Sequence, residues 1–392
     1  MTSTARVVAC LGTAQTLAWG SSYYLPAILA NPMAADLGLG TAWVFVAFSA
    51  GLFLAGFLAP LAGRLIDLHG GHRVLPVSNL LFAAALAALG CAVGPASLFA
   101  SWLLMGVAMS CGLYESAFAT LARIYGLDAR RAITGITLIA GFASTLGWPL
   151  TAWLDESFGW RAACFAWAAL HLFACLPLNA LLPHGRRRAS QDSAAGSAPP
   201  DPRKRWMMAL LAFVFAGTWF GSTAMAAHLP RVLQDAGATL PAAIACAAMV
   251  GPAQVAARLV EFWVMRRVPP IVSAQAASLA HPVGAGILLA AGAPAAPVFA
   301  IAHGAGNGVM TIANGTLPLH LFGAGGYGLR QGLLMLPARF LQAGAPFIFD
   351  LLLTRFGPAA LALTAALGIA SFCALALLRR AIPTSPANPG YS

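Results

Sequence analysis

A short charged segment at residues 63–76 reads Gly-Arg-Leu-Ile-Asp-Leu-His-Gly-Gly-His-Arg-Val-Leu-Pro. A second segment at residues 257–270 reads Ala-Arg-Leu-Val-Glu-Phe-Trp-Val-Met-Arg-Arg-Val-Pro-Pro and aligns with the first without a gap. The aligned charges are Arg64 with Arg258, Asp67 with Glu261, and Arg73 with Arg267. Each segment joins two apolar runs that are long enough to cross a bilayer. The repeat therefore predicts a duplicated membrane protein.

The composition places most of the chain in lipid. Its 392 residues are 60% hydrophobic and 8% charged, whereas soluble domains carry about 25% charged residues. The net charge of +11 does not indicate nucleic-acid binding, because the arginines form short clusters between apolar runs, as membrane topology signals do. The seven cysteines stand singly in or beside apolar runs. Neither a disulfide framework nor a metal site is predicted, and no cofactor is expected.

Apolar runs of about 20 residues predict twelve membrane-spanning helices, and hence an all-α membrane protein. The predicted spans are residues 6–30, 41–65, 74–93, 97–122, 132–154, 160–182, 206–230, 241–265, 271–291, 297–321, 328–353 and 358–378. They form two pseudo-symmetric six-helix bundles, at residues 1–183 and 206–392, and the composition of residues 184–205 predicts a flexible linker. Most of the 22 lysine and arginine residues fall at the linker end of the spans. The positive-inside rule therefore predicts a bacterial-type inner-membrane protein with both termini in the cytoplasm.

The first charged segment resembles the signature loop of the major facilitator superfamily, which joins its second and third helices. The family usually has basic residues where Leu68 and Gly71-His72 stand here. Residues 158–163, Phe-Gly-Trp-Arg-Ala-Ala, are similar to the start of span 6 in monocarboxylate-porter-like and oxalate/formate-porter-like members. The resemblance covers essentially the whole chain. It implies a transporter whose two halves rock around a central cavity in alternating access.

The charges of the two matched segments are predicted to hold a gate closed. A carboxylate such as Asp67 can accept hydrogen bonds from backbone N–H groups and pair with arginine, and breaking such contacts gives a two-state element. The predicted gating residues are Arg64, Asp67, Arg73, Arg258 and Glu261. The alternative is that these charges only hold the membrane topology.

Two ionisable residues lie deep in predicted spans 11 and 4. Arg339 follows Arg330 by nine residues, and Glu115 precedes Arg123 by eight, which places both about 12–13 Å from the same end of the spans. Arg339 is predicted to bind a substrate carboxylate in bidentate fashion. The alternatives are an internal pair with a fixed acid or a snorkelling side chain. Glu115 is predicted to be the proton-coupling acid, or the partner of Arg339 when substrate is absent, with a purely structural acid as the alternative.

Spans 1, 4, 7 and 10 line the central cavity in this superfamily, so polar and aromatic residues there are candidate substrate contacts. They are Gln15, Trp19, Ser22 and Tyr23 in span 1, Tyr114 in span 4, Trp219 in span 7, and His303, Asn307 and Thr311 in span 10. The span 10 residues recur every four positions and so share one helix face. Helix packing, interfacial aromatic belts and interhelical hydrogen bonds are the alternative roles.

The leading functional hypothesis is a secondary active transporter that carries a small organic anion, such as a monocarboxylate, in symport with protons. The alternative is an efflux permease for an amphipathic neutral or weakly charged compound, which fits the aromatic residues of span 1. A membrane-embedded receptor or enzyme is disfavoured, because the sequence shows no nucleophile elbow, metal-binding spacing or phosphate-cradling loop. The expected partners are the substrate, the proton and the lipid bilayer, and the chain is expected to act as a monomer.

Overall fold

The computed structural model describes residues 3–184, 202–263 and 268–381, and within these ranges the chain is helical, with no β-strand. The helices are α1 (Ser3–Ser21), α2 (Pro26–Asp36), α3 (Thr41–His69), α4 (Gly71–Gly90), α5 (Pro95–Gly112), α6 (Tyr114–Tyr125), α7 (Ala129–Ala140), α8 (Ala143–Phe158), α9 (Trp160–Leu170), α10 (Leu176–Ala180), α11 (Pro202–Asp235), α12 (Leu240–Ala248), α13 (Val250–Trp263), α14 (Pro270–Ala291), α15 (Ala296–Phe322), α16 (Tyr327–Phe356) and α17 (Leu361–Ala381). Most of the predicted linker, and Arg267 of the second charged segment, lie outside the described residues.

Each predicted span coincides with one helix or with consecutive helices. Span 1, for example, is divided into α1 and α2 before Pro26, a residue whose ring fixes φ and which lacks an N–H to continue a helix. Eight stretches of the described chain are long and apolar enough to cross a membrane, and two of these contain more than one predicted span: Pro95–Phe158 and Tyr327–Ala381. The all-α membrane fold is confirmed, while the number of twelve crossings stays a prediction.

The buried apolar side chains form separate clusters in the two halves of the chain. One large cluster draws almost all its members from residues 7–182, and two smaller clusters draw theirs from residues 207–378. Large apolar side chains also cover the outside, where Phe173 is 81% exposed and Phe347 is 77% exposed. Such an apolar outer surface suits contact with lipid rather than water.

Glycines bring the two halves together along α3 and α16. A Cβ atom added at Gly63 would overlap the carbonyl group of Gly328, and one at Gly332 would overlap the backbone of Ala59. Gly56, one turn further from the α3 C-terminus than Ala59, faces the Cβ of Arg339. Small residues at these positions let two membrane helices approach closely. This contact fixes where the α16 side chains enter the middle of the protein.

We expect Gly63→Ala to destabilise the protein, because the new methyl group has no room between α3 and α16. Overfilling a packed contact costs typically about 1–3 kcal/mol. The matched control is Gly286→Ala in α14, where an added Cβ meets open space and alanine favours the helix by roughly 0.5–1 kcal/mol. Thermal unfolding of both purified variants in detergent measures the difference. Equal melting temperatures for the two variants would contradict the close contact.

Candidate functional site

A break between α5 and α6 positions Glu115. Leu113 is in an extended conformation (φ −87°, ψ −167°), so the helix restarts at Tyr114 and Glu115 lies in the first turn of α6. Gln15 of α1 stabilises the break by donating a hydrogen bond from Nε2 to the carbonyl of Gly112 at 2.6 Å. Gln15 thus stabilises the backbone just before α6. The Glu115 carboxylate points to the second half of the chain.

Arg339 and Glu115 form an ion pair between the two halves. Nη2 of Arg339 lies 2.6 Å from Oε1 of Glu115, and the two side chains are only 7% and 12% exposed. Nη1 of Arg339 donates to Oε1 of Gln342 at 2.8 Å, and Nε2 of Gln342 donates to the hydroxyl of Tyr23 at 3.0 Å. The guanidinium therefore has one partner in each half of the chain. In this structure Arg339 is paired with a fixed acid, which is one of the alternatives to substrate binding given above.

Aromatic rings surround this pair. The ring of Trp19 lies 5.0 Å from that of Tyr114 and 5.3 Å from that of Tyr23, measured between centroids. On the opposite side, Cζ of Arg339 lies 5.4 Å from the ring centroid of Trp219, a cation–π distance. The four predicted aromatic residues are thus assembled at one place with Arg339. They give the site apolar walls and few polar groups, as small-molecule sites usually have.

Two residues in this region differ from the sequence-based picture. The Ser22 hydroxyl is fully buried and donates to the carbonyl of Ala18 on its own helix at 2.6 Å, a common way for serine to satisfy its hydroxyl in a helix. Gln342, which sequence reasoning missed, bridges Arg339 and the first half. Its position three residues after Arg339 places it on the same helix face, and this spacing could have identified it.

The predicted residues of span 10 lie apart from the Arg339 pair. Nδ1 of His303 lies 3.0 Å from Nδ1 of His281 in α14. His303 and Asn307 line a cavity of about 430 Å³ of empty space within the second half, between α11, α14, α15 and α17. Thr311 lies nearer the gating residues, with its hydroxyl 3.5 Å from Nη2 of Arg258. Span 10 therefore contributes to two places, neither of which includes Arg339.

The carboxylate of Asp67 joins the end of α3 to the start of α16. Its two oxygens accept hydrogen bonds from the backbone N–H groups of Gly328 and Leu329, each at 2.9 Å. These N–H groups belong to the first turn of α16, where they have no partner within the helix and where the helix dipole favours a negative charge. Arg123 of α6 supports the α3 end by donating to the carbonyls of Ile66 and Asp67.

Glu261, the repeat partner of Asp67, also joins the two halves. Its Oε1 lies 2.9 Å from Nη2 of Arg130, near the start of α7. Arg258, one turn earlier on α13, is buried and donates from Nη1 to the carbonyl of Thr137 in α7 at 3.0 Å and from Nε to that of Gly308 at 3.3 Å. We call these contacts, with those of Asp67, the gate contacts. Those of Asp67 and Glu261 lie at one end of the bundle, the gate end, and the contact of Arg258 with Thr137, seven residues after Arg130 on α7, lies about 10 Å further in.

Arg64 and Arg73, the other two predicted gating residues, lie at the same end but point outward. Both side chains are exposed, and neither takes part in the hydrogen bonds and ion pairs that join the halves in the described part of the chain. The predicted gating set is thus divided by the structure. Asp67, Arg258 and Glu261 hold the halves together, while Arg64 and Arg73 face the surroundings of α3 and α4.

Comparisons with known proteins agree with this architecture. Among solved structures, the chain is similar to the human organic anion transporter MFSD10 (TETRAN), with a TM-score of 0.73 and 17% identity over 95% of this chain and 99% of that one. It is also similar to the proton:xylose symporter XylE bound to 6-bromo-6-deoxy-D-glucose, with a TM-score of 0.71 and 13% identity over 94% of each chain. At such identities the likeness shows a shared fold.

Sequence comparison gives the family. A search of curated proteins finds no match to this chain. The model of the Major Facilitator Superfamily, in contrast, matches residues 11–335, which include the first charged segment, both members of the gate pair Arg130–Glu261, and Glu115. Because this match covers most of the sequence and the fold agrees with it, the chain belongs to the Major Facilitator Superfamily of membrane transporters.

Proposed function

We propose that this transporter carries a small organic anion of monocarboxylate type together with a proton. The observation that supports the proposal is the buried ion pair between Arg339 and Glu115, which takes one charge from each half. A guanidinium binds carboxylates in a planar, bidentate geometry. The aromatic rings around it would contact the apolar part of a small metabolite. The resemblance of residues 158–163 to monocarboxylate-type and oxalate/formate-type porters favours the same class of substrate.

Charge balance gives the coupling mechanism. In this structure Glu115 neutralises Arg339. When Glu115 takes up a proton, it releases the guanidinium, and the carboxylate of the substrate takes its place. The centre carries no net charge before or after the exchange, which avoids the cost of an unpaired charge inside a membrane. One proton and one monovalent anion therefore enter together, and transport is electroneutral.

The gate contacts would provide the alternating access. They join the two halves in this structure, and rocking of the two halves would have to break the bonds of Asp67, Arg258 and Glu261 before the central site could open there. With the arginine-rich gate end in the cytoplasm of an inner membrane, the site in the present state would load from the outside. A monomer contains both halves and so the whole central site.

A second candidate is efflux of an amphipathic neutral or weakly charged compound. The aromatic group formed by Trp19, Tyr23, Tyr114 and Trp219 favours it, since flat apolar molecules stack on such rings. In this case the ion pair of Arg339 would be structural, and the charge of the substrate would not matter. The two candidates therefore differ in what happens when Arg339 is replaced.

We expect Arg339→Gln to raise the KM for a labelled monocarboxylate by at least roughly 30-fold in proteoliposomes, because removing one partner of a buried charged contact costs about 2–5 kcal/mol. The matched control is Arg355→Gln, which removes an exposed arginine from the same helix. Unchanged carboxylate uptake by the Arg339 variant, or equal transport of neutral analogues by the wild type, would favour the second candidate.

We expect Glu115→Gln to uncouple the proton from the anion. The glutamine amide cannot bind or release a proton, so proton influx with substrate, followed by a pH-sensitive dye in the liposome lumen, falls to background. Exchange of labelled for unlabelled substrate continues, because it needs no net proton movement. Glu156→Gln, at an exposed position, is the control. Proton influx at the wild-type level in the Glu115 variant would remove Glu115 from the mechanism.

We expect the double variant Asp67→Asn, Glu261→Gln to open the gate end more often. Spin labels at exposed Arg131 in α7 and at Leu329 in α16, in a background without native cysteines, report the distance between the halves by pulsed electron resonance. The double variant lengthens this distance distribution. Asp36→Asn, which breaks an ion pair within the first half, leaves it unchanged. If both variants give the wild-type distribution, the gate contacts do not control opening.

A further inference from the structure

An apolar groove runs along the membrane-facing side of the first half, between α3, α4 and α5. It holds about 950 Å³ of empty space open to the surroundings. Its walls are almost entirely aliphatic and include Leu58, Leu61, Leu65, Val74, Val77 and Val107. At the gate end, the lining changes to the exposed side chains of His69 and Arg73. No carboxylate lines the groove. One end is therefore basic and the remainder is apolar.

The groove and the gate use opposite faces of α3. At 3.6 residues per turn, Leu58, Leu65 and His69 lie within about 40° of one another around the helix axis. Gly63 and Asp67, which contact α16, lie roughly 140–180° away from Leu58. A molecule in the groove would therefore contact the face of α3 opposite to the face that carries the Asp67 gate contact.

The dimensions of the groove match one leaflet of a membrane. From Leu58 to His69 the helix rises about 16 Å, and half of a hydrocarbon core is about 15 Å thick. The aliphatic walls thus lie at the depth of acyl chains, and Arg73 lies at the depth of the headgroups. A soluble ligand would not need so long an apolar path, whereas basic residues beside grooves between membrane helices suit anionic headgroups.

We propose that this groove is a binding site for an anionic phospholipid of the leaflet at the gate end. Its phosphate lies at Arg73, and one acyl chain lies along α3 between α4 and α5. This assigns a function to Arg73, which takes no part in the gate contacts of the described chain. Because the lipid supports α3 from the side opposite Asp67, it stabilises the arrangement in which α3 meets α16.

Native mass spectrometry of the purified full chain, with phosphatidylglycerol and phosphatidylcholine added in equal amounts, tests the site. We expect the wild type to retain one phosphatidylglycerol in preference to phosphatidylcholine. Arg73→Gln reduces the retained fraction about fivefold, corresponding to the ~1 kcal/mol that one basic residue contributes near an anionic surface. Val77→Trp, which fills the groove without changing charge, reduces the retention of both lipids. Arg131→Gln, at an exposed position of the gate end outside the groove, changes neither.

Three outcomes would overturn the proposal. The first is equal retention of the two lipids by the wild type, which indicates only the general lipid layer around the protein. The second is wild-type retention in Arg73→Gln or in Val77→Trp, as in Arg131→Gln. The third is displacement of the bound lipid by inorganic phosphate in large excess, which indicates a phosphate site without an acyl chain. The readout needs no transport, so it stands or fails separately from the proposed anion and proton mechanism.

Discussion

A charge buried in the membrane core needs a partner of opposite charge, and this constraint governs the centre of the protein. A guanidinium is a cationic group, so Arg339 needs an anion close by in the membrane core. Glu115 supplies one at 2.6 Å from the other half of the chain. The break at Leu113 and the amide of Gln15 place that carboxylate, and the glycines of α3 let α16 bring the arginine to it.

The same rule applies at the gate end with different partners. The carboxylates of Asp67 and Glu261 both find their partners in the opposite half of the chain. Asp67 accepts hydrogen bonds from the N–H groups at a helix start, whereas Glu261 pairs with an arginine side chain. The first turn of α16 presents backbone N–H groups to Asp67, whereas α7 presents the side chain of Arg130, near its start, to Glu261. Arg258, one turn before Glu261, donates to the carbonyl of Thr137, which also accepts from the N–H of Gly141.

Much of this architecture could be predicted from the sequence, because hydropathy and the repeat are properties of whole segments. The depth of Arg339 and Glu115 also follows from counting residues, and their equal depth allows the two side chains to pair. The side-chain directions of Ser22 and His303 could not be predicted. A serine hydroxyl in a helix can turn back on its own carbonyl, and a polar stripe does not show which neighbouring helix it meets. The aligned Arg64 and Arg258 show the limit most clearly, since one is exposed and the other is buried.

The two gate carboxylates, Asp67 and Glu261, place different constraints on substitution of the residues that they contact. Since Asp67 recognises main-chain groups, any residue except proline can replace Leu329 and still donate its N–H group. Glu261, in contrast, requires a basic side chain at Arg130, so a substitution there must be matched by one on its partner. Drift among relatives would thus leave Asp67 fixed beside a variable neighbour, and Glu261 and Arg130 would change as a pair.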